Sequence, residues 1–93
     1  MIVIDTSAVL AIFFDEPERQ VFGDTIAAED VCLMSAVNVH EAACVLRARH
    51  GQQGVVRLWQ FLADSEIDII PFDEAQMRAA AAAFDRYGKG IDP

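Results

Sequence analysis

The sequence predicts a parallel α/β domain with the element order βααβααβα. Three short stretches read as strands: the β-branched run Ile2-Val3-Ile4, the apolar run Val31-Cys32-Leu33-Met34, and Ile67 to Pro71 with its apolar heart. The stretches between them are too long for hairpin turns, and they carry apolar residues at helical spacing behind residues suited to helix caps. That order is satisfied by parallel strands joined through right-handed helical crossovers.

The first run has no alternation and is expected to be a fully buried, central strand. It stops at Asp5, and Thr6 and Ser7 lead into the apolar stretch Ala8–Phe14, which has helical character. Asp5 admits two readings. A carboxylate at the carboxyl end of a parallel strand sits where α/β sheets place ligand chemistry. Asp5, Thr6 and Ser7 are equally good caps for the helix that follows.

Asp15-Glu16-Pro17-Glu18 has the pattern of a helix start, with Asp15 as N-cap, Glu18 closing a capping box and Pro17 in the first turn. The second helix is expected to run to about Ala28, with Glu29-Asp30 as a turn before the second strand. Ser35 is placed to cap a third helix from about Ala36 to His50, whose core stripe is Val39, Ala42, Ala43 and Leu46. Gly51 stops it. A fourth helix carries Val55, Leu58, Trp59 and Leu62 at core spacing. Ile69 and Ile70 form the heart of the third strand. A capping box at Asp73-Glu74-Ala75-Gln76, with a Phe72–Met77 hydrophobic staple, then opens a fifth helix to Tyr87. That helix is expected to bury Met77, Ala80, Ala81 and Phe84 and to end at Gly88-Lys89-Gly90.

Ninety-three residues, 54% of them apolar, make one small domain with material enough for a core. The apolar runs are far shorter than the ~20 residues that cross a bilayer. No basic segment precedes Ile2, so the chain reads as cytoplasmic, without a secretory signal. Cys32 and Cys44 belong to no C-x-x-C pair and are expected to be small core residues in a reducing compartment. Fifteen acids against seven Lys and Arg give a net charge of −8, which opposes broad, charge-driven binding of nucleic acid. A carboxylate-held metal reverses the local sign and lets an acidic surface receive a phosphate.

Glu41 joins Asp5 as a second candidate carboxylate. At about 100° per residue it falls nearly opposite Val39, off the core stripe, with Ser35 and Asn38 on a neighbouring polar strip. Its helix starts at the carboxyl end of the second strand, so its first turns overhang the edge occupied by Asp5. Mg²⁺ is held by one or two carboxylates together with waters and substrate phosphate. The plain alternative for Glu41 is an exposed helix acid paired with a nearby Arg.

The segments MIVIDTSAVLAIFFDEPE, SAVNVHEAACVLRAR and IDIIPFDEAQMRAAAAAFDRYGKG together closely resemble PIN-domain ribonucleases, in particular the toxins of bacterial VapBC toxin–antitoxin pairs. The resemblance spans essentially the whole chain, and IDTSA, S-x-x-N-x-x-E and YGKG carry it jointly. It implies an endoribonuclease dependent on Mg²⁺ or Mn²⁺, with Asp5 and Glu41 matching the first two acids that hold the metal and activate water. Thr6, Ser7 and Asn38 are the accompanying candidates for contact with the carboxylates or the RNA phosphate. A cognate antitoxin and a homodimer are the implied protein partners, with no membrane.

The family's remaining acids follow YGKG, in a stretch resembling LN-x-GD and in the helix after it, whereas this chain ends at Pro93. Asp92 falls too early to match them. The expectation is a PIN-like sheet lacking the usual C-terminal strand and helix, with little cover for its strands and weak or absent nuclease activity. The rival reading is a non-catalytic interaction module that binds an antitoxin or a further toxin subunit. A haloacid-dehalogenase-like phosphatase would need D-x-D, and Ser7 stands at its second acid. A receiver-like phosphoacceptor would use Asp73, which its capping box explains. Arg47, Arg49, His50, Arg86 and Lys89 read as favourable charges at helix ends, with RNA guidance by Arg86 and Lys89 second. His40 reads as structural, with no second ligand at metal spacing, and Trp59 as core or dimer interface.

Overall fold

Strand order follows from how the chain crosses the sheet. The computed structural model describes residues 1–87, apart from the side chains at 76, 80 and 83–87. The elements are β1 (Ile2–Val3), α1 (Thr6–Phe13), α2 (Arg19–Ala28), β2 (Cys32–Ser35), α3 (Ala36–Asp64), β3 (Ile67–Ile70) and α4 (Glu74–Tyr87). The sheet is parallel in the order β1-β2-β3, with Ile2 opposite Cys32 and Cys32 opposite Ile67. Both crossovers therefore step in the same direction. With right-handed connections, that puts α1, α2 and α3 on one face.

The burial pattern agrees. Ile4, Cys32, Met34 and Ile67 are buried against Val9, Ile26, Val39, Ala42, Leu46, Leu58 and Leu62. The opposite row runs Val3–Leu33–Asp68, and Val3 is 69% exposed. The expected fully buried, central first strand is thus corrected on both points. β2 is central, β1 lies at the edge among the described residues, and only one face of β1 meets the core.

α1 ends in a Schellman turn. Asp15 takes the left-handed conformation (φ 59°), its N–H donates to Ile12 O at 3.4 Å, and the Glu16 N–H donates to Ala11 O at 3.0 Å. The expected N-cap role of Asp15 is corrected accordingly: it closes the helix before it. Asp tolerates the left-handed region for the reason it caps well, a short polar side chain that bonds locally. α2 starts later, with Glu18 at the cap position and no side-chain cap bond. Asp15 still serves α2 through an ion pair with Arg19, 2.5 Å away.

The third and fourth predicted helices form two arms of α3, bent at Gly51 (φ 67°, ψ −156°). Leu46 on the first arm and Leu58 on the second are both fully buried. The cap at the start of α3 is as expected, with Ser35 Oγ accepting the Asn38 N–H at 3.2 Å. Ser35→Ala should lower stability by about 1 kcal/mol, and a urea titration with an unchanged midpoint would show that this cap contributes nothing.

The outer expectations fare differently. Met77 is 50% exposed, Phe72 is 45% exposed and Ala81 is exposed, so the apolar stripe of α4 is not buried at these positions. Among the described side chains, none from α4 enters the core cluster. The core roles of Ala80 and Phe84, the Gly88-Lys89-Gly90 stop and the RNA-guiding roles of Arg86 and Lys89 lie outside the described residues. Trp59 is 48% exposed, which corrects its core assignment, and Cys44 is exposed while Cys32 is buried as expected. Among the described residues no helix is long and apolar enough to cross a membrane.

Candidate metal and nuclease site at the carboxyl edge of the sheet

β1 and β2 both run toward the edge from which α1 and α3 start. Asp5 is exposed and occupies the N-cap of α1. Its Oδ1 accepts the Ala8 N–H at 3.0 Å and the Ser7 hydroxyl at 2.9 Å. Neither bond engages Oδ2. The two readings of Asp5 therefore coexist in one carboxylate, because the oxygen that caps the helix also holds the group still and leaves the other oxygen outside the cap.

Thr6 ties the two helix starts together. Its hydroxyl donates to the backbone carbonyl of Asn38 at 3.1 Å, one turn into α3. Glu41 lies three residues further along, on the neighbouring face of the same helix. It is exposed, and no ion pair among the described residues involves it, so the alternative of an Arg partner is not realised.

The hydroxyl protons of Thr6 and Ser7 are both committed inside the protein. Toward a phosphate, whose oxygens only accept, they have no proton left to offer in this arrangement. Their visible work is positional: Ser7 fixes Asp5, and Thr6 fixes α1 against α3. Asn38 accepts the Thr6 hydroxyl with its carbonyl and donates its N–H to the Ser35 cap, and its half-buried side chain takes part in neither bond.

A hollow of about 300 Å³ runs along β1, lined by Ile2, Val3, Ile4, Asp5, Ser7 and Phe22 among others. Glu41 does not line it, and its walls are mainly apolar, so it is the open edge of the sheet rather than a phosphate cradle. Among the described residues, no three His, Cys, Asp or Glu side chains come together as a ready-made metal cage.

Residues 2–93 match the sequence pattern of the PIN domain. This chain belongs to the PIN-domain family. Within it, the chain is similar to ribonuclease VapC30 of Mycobacterium tuberculosis, with 39% identity over 88 residues that take up 95% of this chain and 67% of the relative. It is 38% identical, over 95% of its length, to 68% of ribonuclease VapC of Mycolicibacterium smegmatis. Ribonuclease VapC28 of Mycobacterium tuberculosis is 32% identical, again over 95% of this chain and over 66% of its own length. This PIN domain is accordingly of the VapC type.

One pair on α3 was missed by reading the sequence. His40 Nε2 lies 3.6 Å from Cys44 Sγ, and both residues are exposed. The sequence reading gives His40 no partner at metal spacing, whereas Cys44 stands four residues on, one helical turn away, and in contact with it. The same wheel that removed Glu41 from the core stripe also removes Cys44, and an H-x-x-x-C spacing was the available signal.

Proposed function

We propose that this PIN domain is a metal-dependent endoribonuclease of the toxin type, acting on RNA through a divalent cation held by Asp5 and Glu41. The observation that carries the reading is the Thr6–Asn38 hydrogen bond of 3.1 Å, which joins the helix start bearing Asp5 to the helix turn preceding Glu41. The donor set fits a hard cation: two exposed carboxylates offer only oxygen, which suits Mg²⁺ or Mn²⁺ completed by water and substrate phosphate. When bound, such a cation supplies an activated water and a counter-charge for the phosphate. Asp5 contributes the oxygen outside its cap as principal ligand, and Glu41 contributes directly or through water. Ser7 and Thr6 keep this geometry, and the Asn38 amide remains for the RNA. The likeness to VapC ribonucleases adds a cognate antitoxin and a second copy of the chain as proposed partners, in the cytoplasm.

The net charge of −8 makes the cation indispensable to this reading, because the protein alone repels RNA. Cleavage of RNA should stop when the divalent cation is chelated and return when Mg²⁺ or Mn²⁺ is restored. Glu41→Gln should raise the cation concentration needed for half-maximal rate by at least about tenfold. Cleavage that continues in chelator, or an unchanged cation requirement in the variant, would reject the proposal.

A second reading, a non-catalytic module that binds an antitoxin, is favoured by the absence of a three-donor cluster among the described residues. The exposed Val3, Val56, Trp59, Phe72 and Met77 also favour it. Under that reading RNA stays intact at millimolar Mg²⁺ while a cognate antitoxin still binds.

A further inference from the structure

We propose that His40 and Cys44 form a separate site for a thiophilic, borderline-soft cation of the Zn²⁺ class, on the face of α3 beside the groove between its two arms. Residues four apart on a helix share a face, and here the two donor atoms are in contact, with Nε2 and Sγ 3.6 Å apart. Zinc binds thiolate at roughly 2.3 Å and imidazole at roughly 2.0–2.1 Å in tetrahedral geometry, which sets the donor separation at roughly 3.5–3.6 Å. The observed spacing therefore matches one edge of the coordination tetrahedron, and a cation can bridge the pair with little movement of either side chain.

The surroundings permit it. Both side chains are exposed, so a cation reaches them without opening the core. They border a groove of about 340 Å³ whose other walls include Val39, Val55 and Trp59. That space leaves room for further ligands, and since no third protein donor joins the pair among the described residues, water fills the remaining positions. Arg47 also lines the groove, and its guanidinium donates to Gln52 Oε1 at 3.1 Å. Sulfur and imidazole nitrogen select a cation different from the one suited to Asp5 and Glu41, so the two sites are separable by chemistry. Binding takes a thiolate and a neutral imidazole and releases the thiol proton to solvent.

The test is a titration of the full, reduced chain with CdCl₂, read by the thiolate-to-cadmium charge-transfer absorption in the ultraviolet. The expected result is a band that saturates at one cadmium per chain, is displaced by Zn²⁺ and is indifferent to millimolar Mg²⁺. Cys44→Ser should abolish it, and His40→Ala should weaken binding by at least about tenfold, the loss of a ligand costing no less than the loss of a supporting contact. Cys32→Ser should leave it unchanged, since Cys32 is buried with its thiol directed at Ile26 O. Both tested residues are exposed, so neither substitution removes core packing. A band that persists in Cys44→Ser, an unchanged affinity in His40→Ala, or no band in the parent chain would each overturn the proposal.

Discussion

Asp5→Asn should abolish RNA cleavage while keeping the fold, and Asp5→Ala should abolish cleavage and also weaken the fold. The separation follows from the two oxygens of one carboxylate. Oδ1 accepts the Ala8 N–H at the start of α1 and the Ser7 hydroxyl. An asparagine keeps an acceptor oxygen in that place, and Asn caps helices about as well as Asp. What it removes is the charge, worth a few tenths to about 1 kcal/mol against the helix terminus and far more to a hard divalent cation. Alanine removes the acceptor as well, and losing an N-cap costs about 1 kcal/mol more.

The expected pattern is a fall in cleavage of at least about a hundredfold for both variants, the size of removing one electrostatic group from an organised site. Only Asp5→Ala should show the additional fall in melting temperature, about 4–8 °C per kcal/mol for a domain of this size. Rates on a synthetic RNA at saturating Mg²⁺, beside thermal melts of both variants, check this directly. Parent-like cleavage by Asp5→Asn would remove Asp5 from the site and leave it as a cap alone.

The sequence made the strands and helices legible because each is written in local pattern: short, largely apolar runs for β1, β2 and β3, and a 3.6-residue stripe for both arms of α3. It made Glu41 legible as an off-core acid by the same arithmetic. Strand order is not local. A chain of the same pattern could place β1 at the centre or at an edge, depending on which way each crossover steps, and here both step the same way. For the same reason the exposure of Val3, Trp59 and Met77 was illegible, since hydropathy says which residues are fit to be buried and a neighbouring layer decides whether they are.

Asp15 shows a different limit. The residue types that begin helices also end them in the left-handed region, so D-E-P-E has two readings. The backbone selected the Schellman turn, which satisfies the Ile12 and Ala11 carbonyls at once. In the candidate site, the residue types at Asp5, Thr6 and Ser7 were legible, but their division of labour was not. Which hydroxyl bonds to which acceptor depends on the approach of α3, and only the fold brings Thr6 to Asn38.

The approach of the two arms of α3 rests on a glycine that sequence alone gives no reason to notice. Gly51 makes the bend and lies in open surroundings, so Gly51→Ala strains only the backbone, by about 1–3 kcal/mol. Gly54 is buried in the first turn beyond the bend, and a Cβ there would lie 2.7 Å from Leu46 O and 3.0 Å from His50 Cβ. At an open helical position, replacing Gly by Ala gains about 1 kcal/mol. At Gly54 the sign should reverse, because the obstacle is the backbone of the preceding arm, which has no rotamer to change. Gly54→Val, with a branched side chain in the same space, should cost about 3 kcal/mol or more. Domains of this size are stable by only about 5–14 kcal/mol. The loss comes from prising Leu46 and Leu58 apart, both fully buried, and the first arm is also the one that carries Asn38, His40, Glu41 and Cys44. A urea titration should therefore show Gly54→Val far less stable than Gly51→Ala, with much of its helix content intact below the transition. Stability equal to the parent would mean that the two arms are not held together at this glycine.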